Sequence, residues 1–424
     1  MIRLTRLHPL SVAYGALVAL ALAGLAFGGW LLYGWFISHE RAIVWDFFNP
    51  WLALRRMLLD GLNPYGLVVL QETQQAIYGR IAFPHEDQQA FSYPLSILMV
   101  LGPLAILPLP LAQTIWFLVL GISVLVFLFV APRAVGWSPP LWLRAWTLLC
   151  ACILYQNVWA FILGQVAIVI ATWIALAWWG LRNRHWTLAG VCMALATVKP
   201  QMSFLIVPGM LLWALWHRCT RVVMSFGITL ALLILLPVAW LPDWPLHWLV
   251  RLQRYADYTF FAPPVQLLTG TAWLGWIIAG IMVLWPMAIW RHARRETFGN
   301  MASTPEDLWK THTMRDWLFS WLIAVTMMIA PRTSQANQLV LLLPLFYFFA
   351  QLHGHRGQVM VAAIQTGIVF VIWIVAIFAL PATSHPDYTL WQHRLVSPIL
   401  PLGITAALLG LSIWPKRGKW REPH

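Results

Sequence analysis

The sequence predicts an all-α polytopic membrane protein, and three observations carry that prediction. Of the 424 residues, 61% are hydrophobic and only 10% are charged, against roughly 25% charged in soluble domains. Apolar runs recur along the chain, separated by short polar clusters. The 29 tryptophans fit aromatic belts at the membrane interfaces. The net charge of +13 comes in short basic clusters between those runs. That pattern suits positive-inside anchoring and contact with lipid phosphates, not nucleic acid. Cys150, Cys152, Cys192 and Cys219 lie in or beside apolar segments without metal-ligand spacing, and read as small packing residues. Residues 1–424 read as a single integral membrane domain.

In chain order, the first apolar run is Leu10 to Ile37. It is too long for a signal-peptide core, and Arg3 and Arg6 before it mark an uncleaved first helix with a cytoplasmic N-terminus. The longest polar interruption follows, residues 38–93, which becomes the first extracytoplasmic loop. It holds six of the 14 acidic residues: Glu40, Asp46, Asp60, Glu72, Glu86 and Asp87. Within it, Asn49 and Pro50 read as an N-cap and an N1 proline. Trp51 to Asp60 reads as a short helix stopped by Gly61. Ten residues cannot span a bilayer, so this helix is expected along the outer surface with Arg55 and Arg56 toward phosphates. Asp46 falls just before its N-terminus, where backbone N–H groups favour an anion. It is either an ionised group placed for chemistry or the acidic residue of an interfacial turn.

Further apolar segments fall near 94–108, 111–131, 142–160, 165–181, 186–198, 201–216, 222–241, 266–290, 315–330, 336–352, 358–380 and 396–414. Basic clusters at Arg182–His185, His217–Arg221, Arg291–Arg295, His353–Arg356 and Lys416–Arg421 are placed in the cytoplasm. Both termini are then cytoplasmic, which requires an even number of crossings. With the first helix the candidates number thirteen, so one segment, such as 94–108 or 186–198, does not cross, and about 12 transmembrane helices are expected. The loop 242–265 becomes a second extracytoplasmic loop. The turns at Gly164–Gln165, Lys199–Pro200 and 331–336 lie on the outer side with it.

Several residues on that side are candidates for chemistry. Lys199, one of four lysines and alone in an apolar stretch, precedes Pro200 at a helix C-terminus. It either snorkels to headgroups or balances the charge of a lipid-linked phosphate. Gln165 either binds a sugar hydroxyl or satisfies a buried backbone group. Arg332 follows Pro331 in an outer turn, with Asn337 and Gln338 entering the next helix. Arg251 and Arg254, with Tyr255 and Tyr258, give the second loop a basic, aromatic character suited to a phosphate, a glycan or a headgroup. No Walker loop, GxGxxG, HExxH, CxxC framework or GxSxG occurs, and no nucleotide, metal or cofactor is implied.

The pattern D-F-x-x-x-W-x-A from Asp46 to Ala53, followed by DGLNPYG, resembles the first outer loop of family 87 glycosyltransferases. The resemblance continues through FSYPLSILMVLGPLAILPLPLAQTIW, through GQVAIVIATWIALAWWGLRNRHWTLAGVCMALATVKP and through APRTSQANQLVLLLPL. Together these cover most of 38–210 and a piece near 330–345. The resemblance implies a membrane-embedded GT-C bundle that uses polyprenyl-phosphate sugars, typically mannose, and a glycan or glycolipid acceptor. It places Asp46 at the family's catalytic base and Lys199 at its K-P lysine. One departure stands out. Where the family tends to carry Trp with His, Tyr or Asp, this chain has Ser334, Gln335, Ala336, Asn337 and Gln338, and Asn337 cannot exchange a proton.

Two function classes follow. One is a sugar transferase in the bacterial cytoplasmic (inner) membrane with an outward-facing site, Asp46 as base, basic groups on the donor phosphate (Lys199, Arg332, Arg251, Arg254), and Gln165, Asn337, Gln338 and Tyr255 on sugar or acceptor. The other is a non-catalytic carrier or flippase for lipid-linked glycans. Coupled carriers place carboxylates inside spans and show duplicated, broken halves. No acidic residue falls in the middle of a predicted span here. A degenerate family member acting as a scaffold is a third reading, motivated by the Asn337 departure.

Overall fold

The computed structural model describes residues 27–38, 44–84, 86–258, 262–299, 312–331, 333–378 and 394–413. Among these the regular structure is helical, with no strand. The early helices are α1 (27–38), α2 (Trp45–Asp60), α3 (Leu67–Tyr78), α4 (Leu98–Ala105) and α5 (Leu109–Ala134). The middle ones are α6 (Leu141–Ile153), α7 (Tyr155–Ile162), α8 (Ala167–Arg182), α9 (Trp186–Ala196), α10 (Pro200–Ser203), α11 (Ile206–Trp216) and α12 (Thr220–Leu235). The rest are α13 (Trp244–Tyr258), α14 (Pro264–Thr269), α15 (Ala272–Gly299), α16 (His312–Ile329), α17 (Leu342–Ala350), α18 (Gly354–Phe378) and α19 (Ile399–Ile413).

Among the described residues, five segments are long and apolar enough to cross a membrane: Leu109–Ala134, Thr220–Ala239, Ala272–Ile289, Gly354–Phe378 and Arg394–Ser412. The pair α6 and α7, bent by 53°, makes a sixth candidate. The chain is thus a multi-pass membrane protein. Along α12, Met224, Ile228, Leu232 and Leu235 stand exposed at helical spacing, an apolar stripe suited to lipid. The segment expected at 94–108 holds a 3₁₀ turn, Leu95–Ile97, that runs into α4. The stretch Leu95–Ala105 rises about 18 Å against a hydrocarbon core of about 30 Å.

The centre of the bundle is α8. It is apolar on every side and buried on nearly every side, from Ala167 to Leu181, as a helix enclosed by others must be. It packs between α5 and α9. On the far side of α9, a Cβ on Gly190 would stand 2.0 Å from Ser225 Oγ and 2.4 Å from the Val222 carbonyl. Only glycine lets α9 and α12 cross so closely. At the C-terminal end of α8, Arg182 Nη1 lies 2.6 Å from Asp316 Oδ2 on α16. Arg315 lies 2.8 Å from Oδ1 of the same carboxylate, which also accepts from Trp178 Nε1 at 3.0 Å. The ion cluster ties the central helix to α16.

The span expected at 142–160 breaks at Leu154, whose ψ of 126° is extended. A break inside a bilayer frees carbonyls that must find donors. Asn157 Nδ2 takes the Ala151 carbonyl at 2.7 Å, and Trp373 Nε1 of α18 takes that of Ile153 at 2.7 Å. The expected surface helix also changes shape. It ends at Gly61 in the left-handed conformation (φ 68°), as expected, but begins at Trp45, so Asn49 and Pro50 lie inside it. Its arginines bind protein groups. Arg55 Nη1 donates to the carbonyls of Ala105 and Leu107, while Arg56 pairs with Asp60 and Glu72.

Candidate active site

The site is built where three chain segments meet at the N-terminus of α2. No local side chain caps that helix. Instead Val44 N donates to Gln113 Oε1 of α5 at 2.8 Å, and Asp46 N donates to the Leu163 carbonyl at 3.2 Å. Distant residues thus satisfy two of the amides at this end. Phe47 is fully buried, stacked on Trp116 with ring centres 5.6 Å apart, and Trp116 Nε1 donates to the Gly164 carbonyl at 2.7 Å.

The second segment is the turn after α7. Gly164 N bonds the Phe161 carbonyl at 3.0 Å and Gln165 N bonds that of Ala160 at 2.9 Å, the paired closure of a Schellman C-cap. Gly164 sits at φ 69°, and a Cβ there would meet Val44 Cγ1 at 2.5 Å. The glycine therefore serves two needs, the left-handed turn and the approach of α2. The third segment is the α9–α10 turn. α9 ends at Ala196, and Lys199 lies outside the helical region (φ −123°, ψ 81°) before Pro200, the N1 residue of α10.

These three turns bring Asp46, Gln165 and Lys199 together. Gln165 Nε2 donates to Asp46 Oδ2 at 2.5 Å, and Lys199 Nζ donates to Gln165 Oε1 at 2.6 Å. Lys199 is 3% exposed, so it does not snorkel to headgroups. Asp46 is half-buried, and burial pushes its pKa up. The Lys199 charge and the Gln165 hydrogen bond oppose that rise, and Asp87 adds to it. Burial pushes the Lys199 ammonium down, against the favourable charge of Asp46. The result is a carboxylate more basic than usual beside an ammonium that protein has stripped of water.

The end of the first loop lies between Asp46 and α13 in its interactions. Burial raises the Tyr93 phenol, with Asp46 and Tyr255 adding to it, so Tyr93 lies within electrostatic reach of both. Trp248 Nε1 donates to the Ser92 carbonyl at 3.0 Å, and the Asn63 amide nitrogen is 3.3 Å from His247 Nε2. Arg251, expected on a phosphate, is buried and gives Nη2 to the Tyr65 carbonyl. Its guanidinium ties α13 to the first loop.

Arg254 is exposed on α13 and Tyr255 is half-buried beside it. Arg332 lies outside the described residues. Asn337 and Gln338 are buried in the 3₁₀ segment Gln335–Leu341, which packs on α7 and α8. Gln338 Nε2 donates to the Ser397 carbonyl at 2.7 Å, and its Oε1 accepts from Gln156 at 3.4 Å. Asn337 Oδ1 is buried without a hydrogen-bond partner. Sequence reasoning passed over Tyr93 and Asp87 as neighbours of Asp46. Their only signal was a place in the acidic loop and its FSYP end. Among the described residues no three His, Cys, Asp or Glu side chains converge as metal ligands would.

The model of glycosyltransferase family 87 matches residues 91–260, the family that the sequence motifs resemble. The matched span holds Tyr93, Gln165, Lys199 and the whole of α13, and begins after Asp46. No curated protein and no solved structure matches the chain.

Proposed function

We propose that the chain is a membrane glycosyltransferase of family 87 type, moving a sugar from a polyprenyl-phosphate donor to a glycan or lipid-linked acceptor. The observation that carries this reading is the row Asp46, Gln165, Lys199, an ionisable carboxylate and a buried ammonium on either side of one amide. Asp46 takes the proton of the acceptor hydroxyl as its oxygen bonds to the anomeric carbon. The bond from that carbon to the phosphate oxygen breaks on the opposite face, so the configuration inverts in a single displacement. Lys199 has three N–H donors, one of them given to Gln165, and the others meet the charge that grows on the leaving phosphate.

Arg254 and Arg332 are the further phosphate ligands in this reading, and Tyr255 and Asn337 are the sugar or acceptor ligands. The buried, unpartnered Oδ1 of Asn337 supports a contact with a hydroxyl. The site faces outward from the bacterial inner membrane in a bundle of about twelve crossings, with both termini cytoplasmic and α2 beside the membrane plane. The test uses purified protein in nanodiscs with radiolabelled polyprenyl-phosphate mannose, glucose, galactose and arabinose, scoring release of polyprenyl phosphate and glycosylation of membrane acceptors. Asp46→Asn is expected to lose about 10²–10⁴-fold in rate while still binding donor. Near wild-type turnover in that variant would overturn the reading.

A further inference from the structure

We propose that Gln165 is a positioning residue that holds Oδ2 of Asp46 and keeps Lys199 one amide away from the carboxylate, leaving Oδ1 as the oxygen that receives the proton. The inference rests on Asp46 being the base. It starts from the direction of the two hydrogen bonds. Gln165 gives its NH₂ to Asp46 and its carbonyl to Lys199. Turning the amide over would face oxygen to carboxylate and NH₂ to ammonium, and both contacts would repel. Charge on either side therefore fixes the orientation. The backbone is equally constrained, because Gln165 N closes the turn onto Ala160 and the next residue, Val166, is fully buried.

The separation has a chemical use. A lysine in direct contact would hold the carboxylate ionised but strip its basicity, by roughly 1–3 pH units. It would also spend the ammonium on the base. With Gln165 between them, Lys199 favours the ionised form through a polarised amide and keeps donors for another anion. The groups that face Asp46 are Lys199 from the α9–α10 turn, Asp87 and Tyr93 from the first loop, and Tyr255 of α13 through Tyr93. Of these, only Lys199 is reached through a side-chain bridge that can be removed singly.

The test reads the proton on Asp46 directly and needs no substrate. In full-length protein in nanodiscs, the infrared C=O band of the protonated Asp46 carboxyl is the band that Asp46→Asn lacks, and it is titrated with pH. Gln165→Met removes both hydrogen bonds at similar volume. Its midpoint is expected to rise by about one pH unit, about tenfold in proton affinity. Gln165→Glu keeps the length and pairs with Lys199, and its midpoint is expected to rise further. A folded Gln165→Met protein with an unmoved or lowered midpoint would overturn the proposal. If Gln165→Met does not fold, an unmoved or lowered midpoint in Gln165→Glu does the same. Absence of any Asp46-dependent band while the protein stays folded also overturns it. Failure of the transferase reading looks different, since Asp46→Asn would then keep transferring sugar whatever the band does.

Discussion

Replacing Gly164 by alanine tests the architecture of the site at its narrowest point. Two costs are separable. Holding a non-glycine residue at φ 69° costs about 1–2 kcal/mol. The new Cβ would also lie 2.5 Å from Val44 Cγ1 and 3.2 Å from Phe47 Cβ, and forcing a methyl into a packed contact adds about 1–3 kcal/mol. The sum is about 2–5 kcal/mol. The alternative is retreat of the turn from α2. Gln165 is the next residue, so retreat would stretch its 2.5 Å bond to Asp46. A displacement near 1 Å at a reacting group costs about 10²-fold in rate. Gly61 supplies the control, because it has φ 68° with nothing within 4 Å of a Cβ. Gly61→Ala therefore carries the conformational cost alone. Unfolding in detergent and single-turnover transfer would be measured for both variants. Gly164→Ala should lose more stability than Gly61→Ala and, unlike it, lose activity. Equal effects of the two variants would refute the tight docking of the α7–α8 turn on α2.

Other outcomes follow from the same structure. Lys199→Gln should weaken donor use about 10- to 150-fold, the loss of one hydrogen bond to a charged group, while the acceptor KM stays within about twofold. An unchanged donor dependence would return that charge to Arg254 or Arg332. Asp316→Asn leaves Arg182 and Arg315 without their shared carboxylate and should cost about 3–5 kcal/mol in unfolding experiments. Arg56→Ala, at an ion pair 38% exposed, should cost no more than about 1 kcal/mol. If the two variants unfold alike, the cluster at the end of α8 is not a tie.

What was legible in the sequence was what local chemistry decides. Gly61 ends α2 because the left-handed position at a C-cap is a property of neighbouring residues. Lys199 stood out because a lone charge in an apolar stretch needs a partner. The start of α2 was misplaced by five residues for the opposite reason. Asn49 and Pro50 form a good local start signal, but Gln113 and the Leu163 carbonyl receive the amides of Val44 and Asp46 and extend the helix back. Nothing near Asn49 announces those partners. Gln165 shows the same limit, because an amide has both a donor and an acceptor and only the packed fold decides where each goes. The charge of Arg251 is visible in the sequence, but the carbonyl of Tyr65 that accepts from its Nη2 is not.

The ties between the first loop and α13 have a consequence for how the protein is made. Residue 65 leaves the ribosome 186 residues before Arg251, which holds its carbonyl, and Ser92 precedes Trp248 by 156. Gln165 reaches Asp46 sooner, 119 residues on. The greater span adds only about 0.4 kcal/mol of closure entropy, so waiting, not free energy, separates the two events. Asp46, Gln165 and Lys199 are thus all made before α13, as are the Ala105 and Leu107 carbonyls that hold Arg55, whereas the loop's ties to α13 wait for that later helix. A nascent chain halted just after α12 would hold Asp46, Gln165 and Lys199 and still lack the ties that Arg251 and Trp248 make to the first loop.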